Sequence, residues 1–161
     1  MVILGIDPGT RISGFAILKK DQNKTFLLES GFLKLSAVKP LRERIFLFHN
    51  YFEDKINKFK VTDLALETPF LGRNAQTFLK LGYLRGILYF LSSKYNLEMH
   101  EYSPREVKQA VTGFGGAGKD QVLRMVMKFF PGLVTPEKSD ISDALAVSLC
   151  GLWKCRQFKN L

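Results

Sequence analysis

Four acids stand at sites where the chain changes structure. Asp7 closes an apolar run and precedes Pro8-Gly9-Thr10. Glu67 closes the run Leu64-Ala65-Leu66 and precedes Thr68-Pro69. Asp140 and Asp143 lie three apart at the opening of the last apolar helical segment. Each has an ordinary reading. Asp7 suits a turn, Glu67 a strand edge, and the Asp140/Asp143 pair the positive end of a helix. Together they permit more. If the helix end packs over neighbouring strand ends, four carboxylates converge and repel one another unless protonated or offset by cations. Hard divalent ions suit carboxylate oxygens. Two ions about 4 Å apart could activate water and stabilise a phosphoryl leaving group.

The surrounding charge fits a polyanionic partner. Lys and Arg number 24 against 15 Asp and Glu, for a formal charge of +9. The excess is spread along the chain, and nucleic acid is the leading candidate partner. A chain of 161 residues that is 46% hydrophobic can build one core without disulfides or a structural metal. Cys150 and Cys155 form neither a disulfide framework nor a zinc site. His49 and His100 read as structural, and Ser13, Ser103 and Ser139 lack a His-acid arrangement for nucleophilic catalysis. The start lacks a signal-peptide pattern, and no apolar run reaches the roughly 20 residues of a membrane span. The expectation is a soluble cytoplasmic protein without a membrane partner.

The elements that must position these acids follow from hydrophobic period. Strands are predicted at Val2–Ile6, Ser13–Leu18 and Thr25–Leu35, the third bent near Gly31, as an antiparallel meander. Leu41, Ile45, Phe48, Phe52 and Ile56 mark a helix from Pro40 to about Lys58. Strands at Asp63–Glu67 and Leu97–Tyr102 flank a helix over Ala75–Lys94. Ser103, Pro104 and Glu106 have the spacing of a capped helix start. Gly113–Gly118 predicts an exposed, mobile connection before a helix at Lys119–Phe130. Ser139 is placed to cap the final helix, which runs into 150–155. The fold class is α/β, a mixed five-stranded sheet with helices on both faces. It forms a single domain over 1–157, with 158–161 as a frayed end.

The ordered motifs resemble the RuvC family of Holliday-junction resolvases, nucleases of the RNase H-like superfamily. They are GIDPGTRISGFA, LALETPF, RNAQTFLKLGYLRG, EYSPREVKQAVTG, GAGKDQV and SDISDALAVS, within a resemblance covering about Val2–Ala146. GIDPGT alone is weak, because actin-like ATPases share a strand-Asp-Gly-Thr loop. The resemblance implies an RNase H-like fold. It implies two magnesium ions per site, with manganese able to substitute, held by Asp7, Glu67, Asp140 and Asp143. It implies paired cuts in opposed strands of a four-way DNA junction, leaving 5′-phosphate and 3′-hydroxyl ends. The enzyme would act as a homodimer alongside a branch-migration motor. Lys108 and Lys119 match basic positions that handle DNA, with Lys119 nearer the catalysis. Phe70 matches an aromatic that stacks on an unpaired base, while Arg73 and Asn74 could contact the junction and Arg85 could stabilise the dimer. Pro69, Tyr83 and Leu84 depart from the family pattern without removing a proposed ligand. The competing readings are an RNase H-like nuclease for another branched or RNA-containing duplex, an actin-like ATP-binding module, and a DNA-binding scaffold with vestigial acids.

Overall fold

The computed structural model describes residues 1–22, 24–69 and 75–154. Five strands form one sheet in the order β3-β2-β1-β4-β5. Strands β1 (Val2–Asp7), β2 (Ile12–Asp21) and β3 (Lys24–Lys34) make the antiparallel meander. Strands β4 (Asp63–Glu67) and β5 (Glu98–Tyr102) extend it in parallel from β1. Helix α1 (Leu41–Phe59) precedes β4, and α2 (Ala75–Lys94) bridges β4 to β5. Helices α3 (Pro104–Thr112), α4 (Lys119–Phe129) and α5 (Ser139–Lys154) follow. The expected mixed sheet with helices on both faces is therefore present.

Two local expectations change. The register of β2 and β3 shifts where Ile17 pairs Glu29 and Leu18 pairs Leu27. The bulge is thus at Leu28, three residues before Gly31. Ser139 is the first residue of α5 rather than its cap. The glycine-rich connection after α3 is exposed as expected and is bonded by side chains of α3. Gln109 receives the Gly115 N–H at 2.9 Å and donates to the Gly113 carbonyl at 2.6 Å, and Thr112 Oγ1 bonds both backbone groups of Phe114. The capping box of α3 forms as expected, with Ser103 and Glu106 satisfying each other's backbone N–H groups. The proposed frayed end at 158–161 lies outside the described residues.

Strand period 2 divides the core. Leu4, Ile6, Leu64 and Leu66 face α1 and α2, where Phe48, Phe52, Leu84, Leu88 and Leu91 are buried against them. Ile3 and Ala65 face the other way, toward α5 and the inner sides of α3 and α4. Each large apolar side chain so buried contributes about 1.5–3 kcal/mol. The same alternation puts Asp7 on the face of Ile3, and Glu67 on the face of Ala65. Ile6 pairs with Leu66 in parallel register. Asp7 and Glu67 therefore lie side by side, at the carboxyl ends of two parallel strands and beneath α5. That end of an open sheet is where α/β proteins bind ligands.

Candidate active site

Close backbone approach seats the third and fourth acids. A Cβ on Gly14 would lie 2.0 Å from the carbonyl oxygen of Asp140, and one on Gly5 would lie 2.0 Å from Ser148 Oγ. With no side chain at either position, α5 rests directly on β1 and β2. Ser148 fixes the contact, donating to the Ala16 carbonyl at 3.1 Å. Asp140 and Asp143, one turn apart at the start of α5, are thereby set over the Asp7 end of β1.

The result is a concentrated negative charge. Burial is the largest influence on Asp7, followed by repulsion from Asp143, Asp140 and Glu67, with Lys119 opposing. Its pKa is pushed up from 3.8 to about 7. Glu67 is raised by burial and by Asp143, against the pull of Lys108 and Lys119. Asp143 is raised by burial and by Asp140, with Lys119 and Lys108 drawing it back. Four carboxylates thus meet in one half-buried place, and two lysines face them. Lys119 Nζ lies 3.6 Å from Asp143 Oδ2, with its side chain 78% exposed. It is the first residue of α4, where a cation opposes the helix dipole. Lys108 projects from α3, within electrostatic range of Glu67 and Asp143.

Two buried arginines and a serine hold the supporting backbone, roles not visible in the residue pattern of the acids. Ser13 Oγ receives the Gly9 N–H at 3.1 Å and donates to the Gly9 carbonyl at 3.0 Å, closing the turn after Asp7. Arg44 on α1 donates to the Thr10 carbonyl at 3.1 Å. Arg85 on α2 donates through Nη1 to the Glu67 carbonyl at 2.7 Å and through Nη2 to Glu101. Arg85 is therefore a buried support of the end of β4. The missed signal was an arginine inside an apolar stripe. Arg44 precedes Phe48, Phe52 and Ile56 at steps of four, and Arg85 stands between Leu81 and Leu88.

The histidines sit apart from the acids. His100 Nε2 pairs with Asp63 Oδ1 at 2.9 Å, and His49 contacts Asn50 and Glu53. Phe70, Arg73 and Asn74 lie outside the described residues, as does Cys155.

The donor set fits hard cations: carboxylate oxygens, partly buried, whose repulsion a divalent charge would relieve. Among the described residues no three His, Cys, Asp or Glu side chains are arranged so as to hold a metal ion, so the fit rests on charge and burial.

The family model described as "Crossover junction endodeoxyribonuclease RuvC" matches residues 3–151. The chain belongs to the RuvC family. A curated RuvC from Chlorobium phaeobacteroides is 43% identical over 152 residues, covering 94% of this chain and 81% of that protein. A RuvC from Rickettsia bellii is 37% identical and covers 99% of both chains. The structure of T. thermophilus RuvC in complex with Holliday junction substrate superposes with a TM-score of 0.90 at 30% identity, covering 98% of this chain and 96% of that one. The mixed sheet and its helices are thus the RNase H-like fold of RuvC.

Proposed function

We propose that this RuvC-family enzyme is a crossover junction endodeoxyribonuclease that cleaves four-way DNA junctions by metal-dependent hydrolysis of phosphodiesters. The observation that carries the reading is the meeting of Asp7, Glu67, Asp140 and Asp143 at the ends of β1 and β4, faced by Lys108 and Lys119, in a chain of net charge +9. The basic surface draws in the DNA backbone, and the acidic centre marks the point of cleavage.

Asp7, repelled by all three of the other acids, would hold two magnesium or manganese ions together with Glu67, Asp140 and Asp143. When bound, such ions supply an activated water and charge compensation for the departing 3′ oxygen. Lys119 is held beside Asp143, where its ammonium can meet a phosphate oxygen, and Lys108 supports the DNA strand from α3. Ser13, Arg44 and the α5 seat on Gly5 and Gly14 keep the carboxylates in place. Phe70, Arg73 and Asn74 follow Glu67 directly in sequence, and we assign them to contact with the junction, Phe70 by stacking on a base.

A homodimer suits the near-symmetric substrate. Helix α2 buries Leu84, Leu88 and Leu91 yet exposes Leu79, Tyr83 and Phe90 along its outer side. A helix apolar all round needs cover on both faces, and a second copy supplies it and sets two sites on opposed strands. A branch-migration motor is the further partner this reading implies. The reading places the enzyme in the cytoplasm with its DNA. No helix among the described residues is long and apolar enough to cross a membrane.

The test is a magnesium-dependent cleavage assay on matched four-way junctions, linear duplexes and RNA–DNA hybrids, with end mapping. Paired, opposed nicks confined to junctions, with 5′-phosphate ends, are expected. Indiscriminate digestion, or preference for the hybrid, would overturn the assignment.

A further inference from the structure

Arg85 occupies an unusual position for a helix arginine. Its side chain is 7% exposed, and its two terminal nitrogens are directed to different elements. Nη1 reaches the backbone carbonyl of Glu67 at 2.7 Å, and Nη2 pairs with Glu101 on β5. The Glu67 carbonyl lies at the end of β4, where the ladder to β5 is running out. The Thr68 N–H still bonds the Tyr102 carbonyl at 2.8 Å. Beyond it come Pro69, which has no N–H, and the segment leading to α2. The peptide plane that aims the Glu67 carboxylate is thus held from one side by the sheet and from the other by the guanidinium.

We propose that Arg85 is a positioning residue. By bridging the Glu67 carbonyl and Glu101, it fixes the end of β4 and sets the affinity of the acidic site for its divalent cation. The inference rests on the reading of Glu67 as a metal ligand. The planar fork is essential, because it spans two acceptors in fixed geometry, whereas a lysine ammonium is a point charge on a flexible stem. Glu101 holds the fork in line and neutralises it. Partners that orient a metal ligand typically change metal affinity or activity by about 10–100-fold when lost.

The test compares wild type, R85K, E101Q, R85K/E101Q and E67Q as full-length proteins. Mn2+ binding is followed by the electron paramagnetic resonance of the free ion, alongside junction binding in chelator, thermal unfolding and cleavage. For R85K we expect cooperative unfolding and junction affinity within about twofold of wild type. We expect its Mn2+ half-saturation to rise about 10-fold or more, and its cleavage at low metal to fall by about 10–100-fold and recover in part as metal is raised. E101Q should move the same way by less, and R85K/E101Q should be no worse than R85K alone. Wild-type Mn2+ affinity in folded R85K would overturn the proposal. If R85K does not fold, E101Q decides: a raised metal requirement supports the clamp, and an unchanged one overturns it. Undiminished Mn2+ binding by E67Q would instead remove the premise that Glu67 is a ligand, whatever Arg85 does.

Discussion

Neutralising Asp7 should make the metal-free protein more stable at alkaline pH while removing its activity. Folding raises the Asp7 pKa from 3.8 to about 7. Between those values the folded chain keeps a proton that the unfolded chain has released. Stability therefore falls as pH rises through that window, the opposite of a salt-bridged carboxylate. The rise corresponds to an upper limit of about 4 kcal/mol of destabilisation at pH 8. The asparagine of D7N would carry no charge to desolvate or repel, but its amide would sit half-buried and return about 1–2 kcal/mol of that gain. The net is about 2–3 kcal/mol, or roughly 5–10 °C in melting temperature for a domain of this size. Thermal unfolding of wild type and D7N in chelator at pH 8 and pH 4 reads this directly. D7N should melt higher at pH 8 and lose most of its advantage at pH 4. Magnesium should then cancel most or all of that advantage, since an ion at 100 times its dissociation constant stabilises the protein that binds it by about 2.7 kcal/mol. D7N should also bind junctions at least as well as wild type and fail to cut them. If D7N melts at or below wild type at pH 8 in chelator, Asp7 does not carry a buried, repelled charge. Near-wild-type cleavage by folded, junction-bound D7N would refute its role in metal binding.

Other perturbations reach different parts of the molecule. F70A should impair junction opening and cleavage more than folding, with a loss of roughly 1–3 kcal/mol in the stacking contact; undiminished cleavage across junction sequences would reject the stacking role. F90D, on the exposed side of α2, should shift sedimentation toward monomer with little change in melting temperature. A wild-type protein that stays monomeric through the low-micromolar range would count against a stable dimer on that face. G14V should displace α5, because its Cβ alone would meet the Asp140 carbonyl at 2.0 Å. Overpacking of this kind costs about 1–3 kcal/mol or more, so a lower melting temperature together with weakened Mn2+ binding is expected. Unchanged metal binding would show that Asp140 and Asp143 do not depend on that seat.

Much of this protein is readable along the chain, because the relevant patterns are local. Periods of two and of three to four mark the strands and helices, and Ser103-Pro104 with Glu106 specifies its own helix start. The four acids stand out because each ends or begins an apolar run, and their order within the motifs carries the family. The glycines at 113–118 announce an exposed connection, but not the hydrogen bonds that Gln109 and Thr112 supply to it. Tertiary structure decided what depends on distant residues meeting. Asp7 and Glu67 become neighbours only through the parallel register of β1 and β4. Asp140 and Asp143 reach them only because bare backbone at Gly5 and Gly14 admits α5. Arg44 and Arg85, which by type belong in solvent, are drawn inward because turn and strand-end carbonyls leave the sheet ladder there, and a buried acceptor without a donor is costly. A sequence names the donors and acceptors, but only the packed fold determines which of them are removed from water and so must find each other.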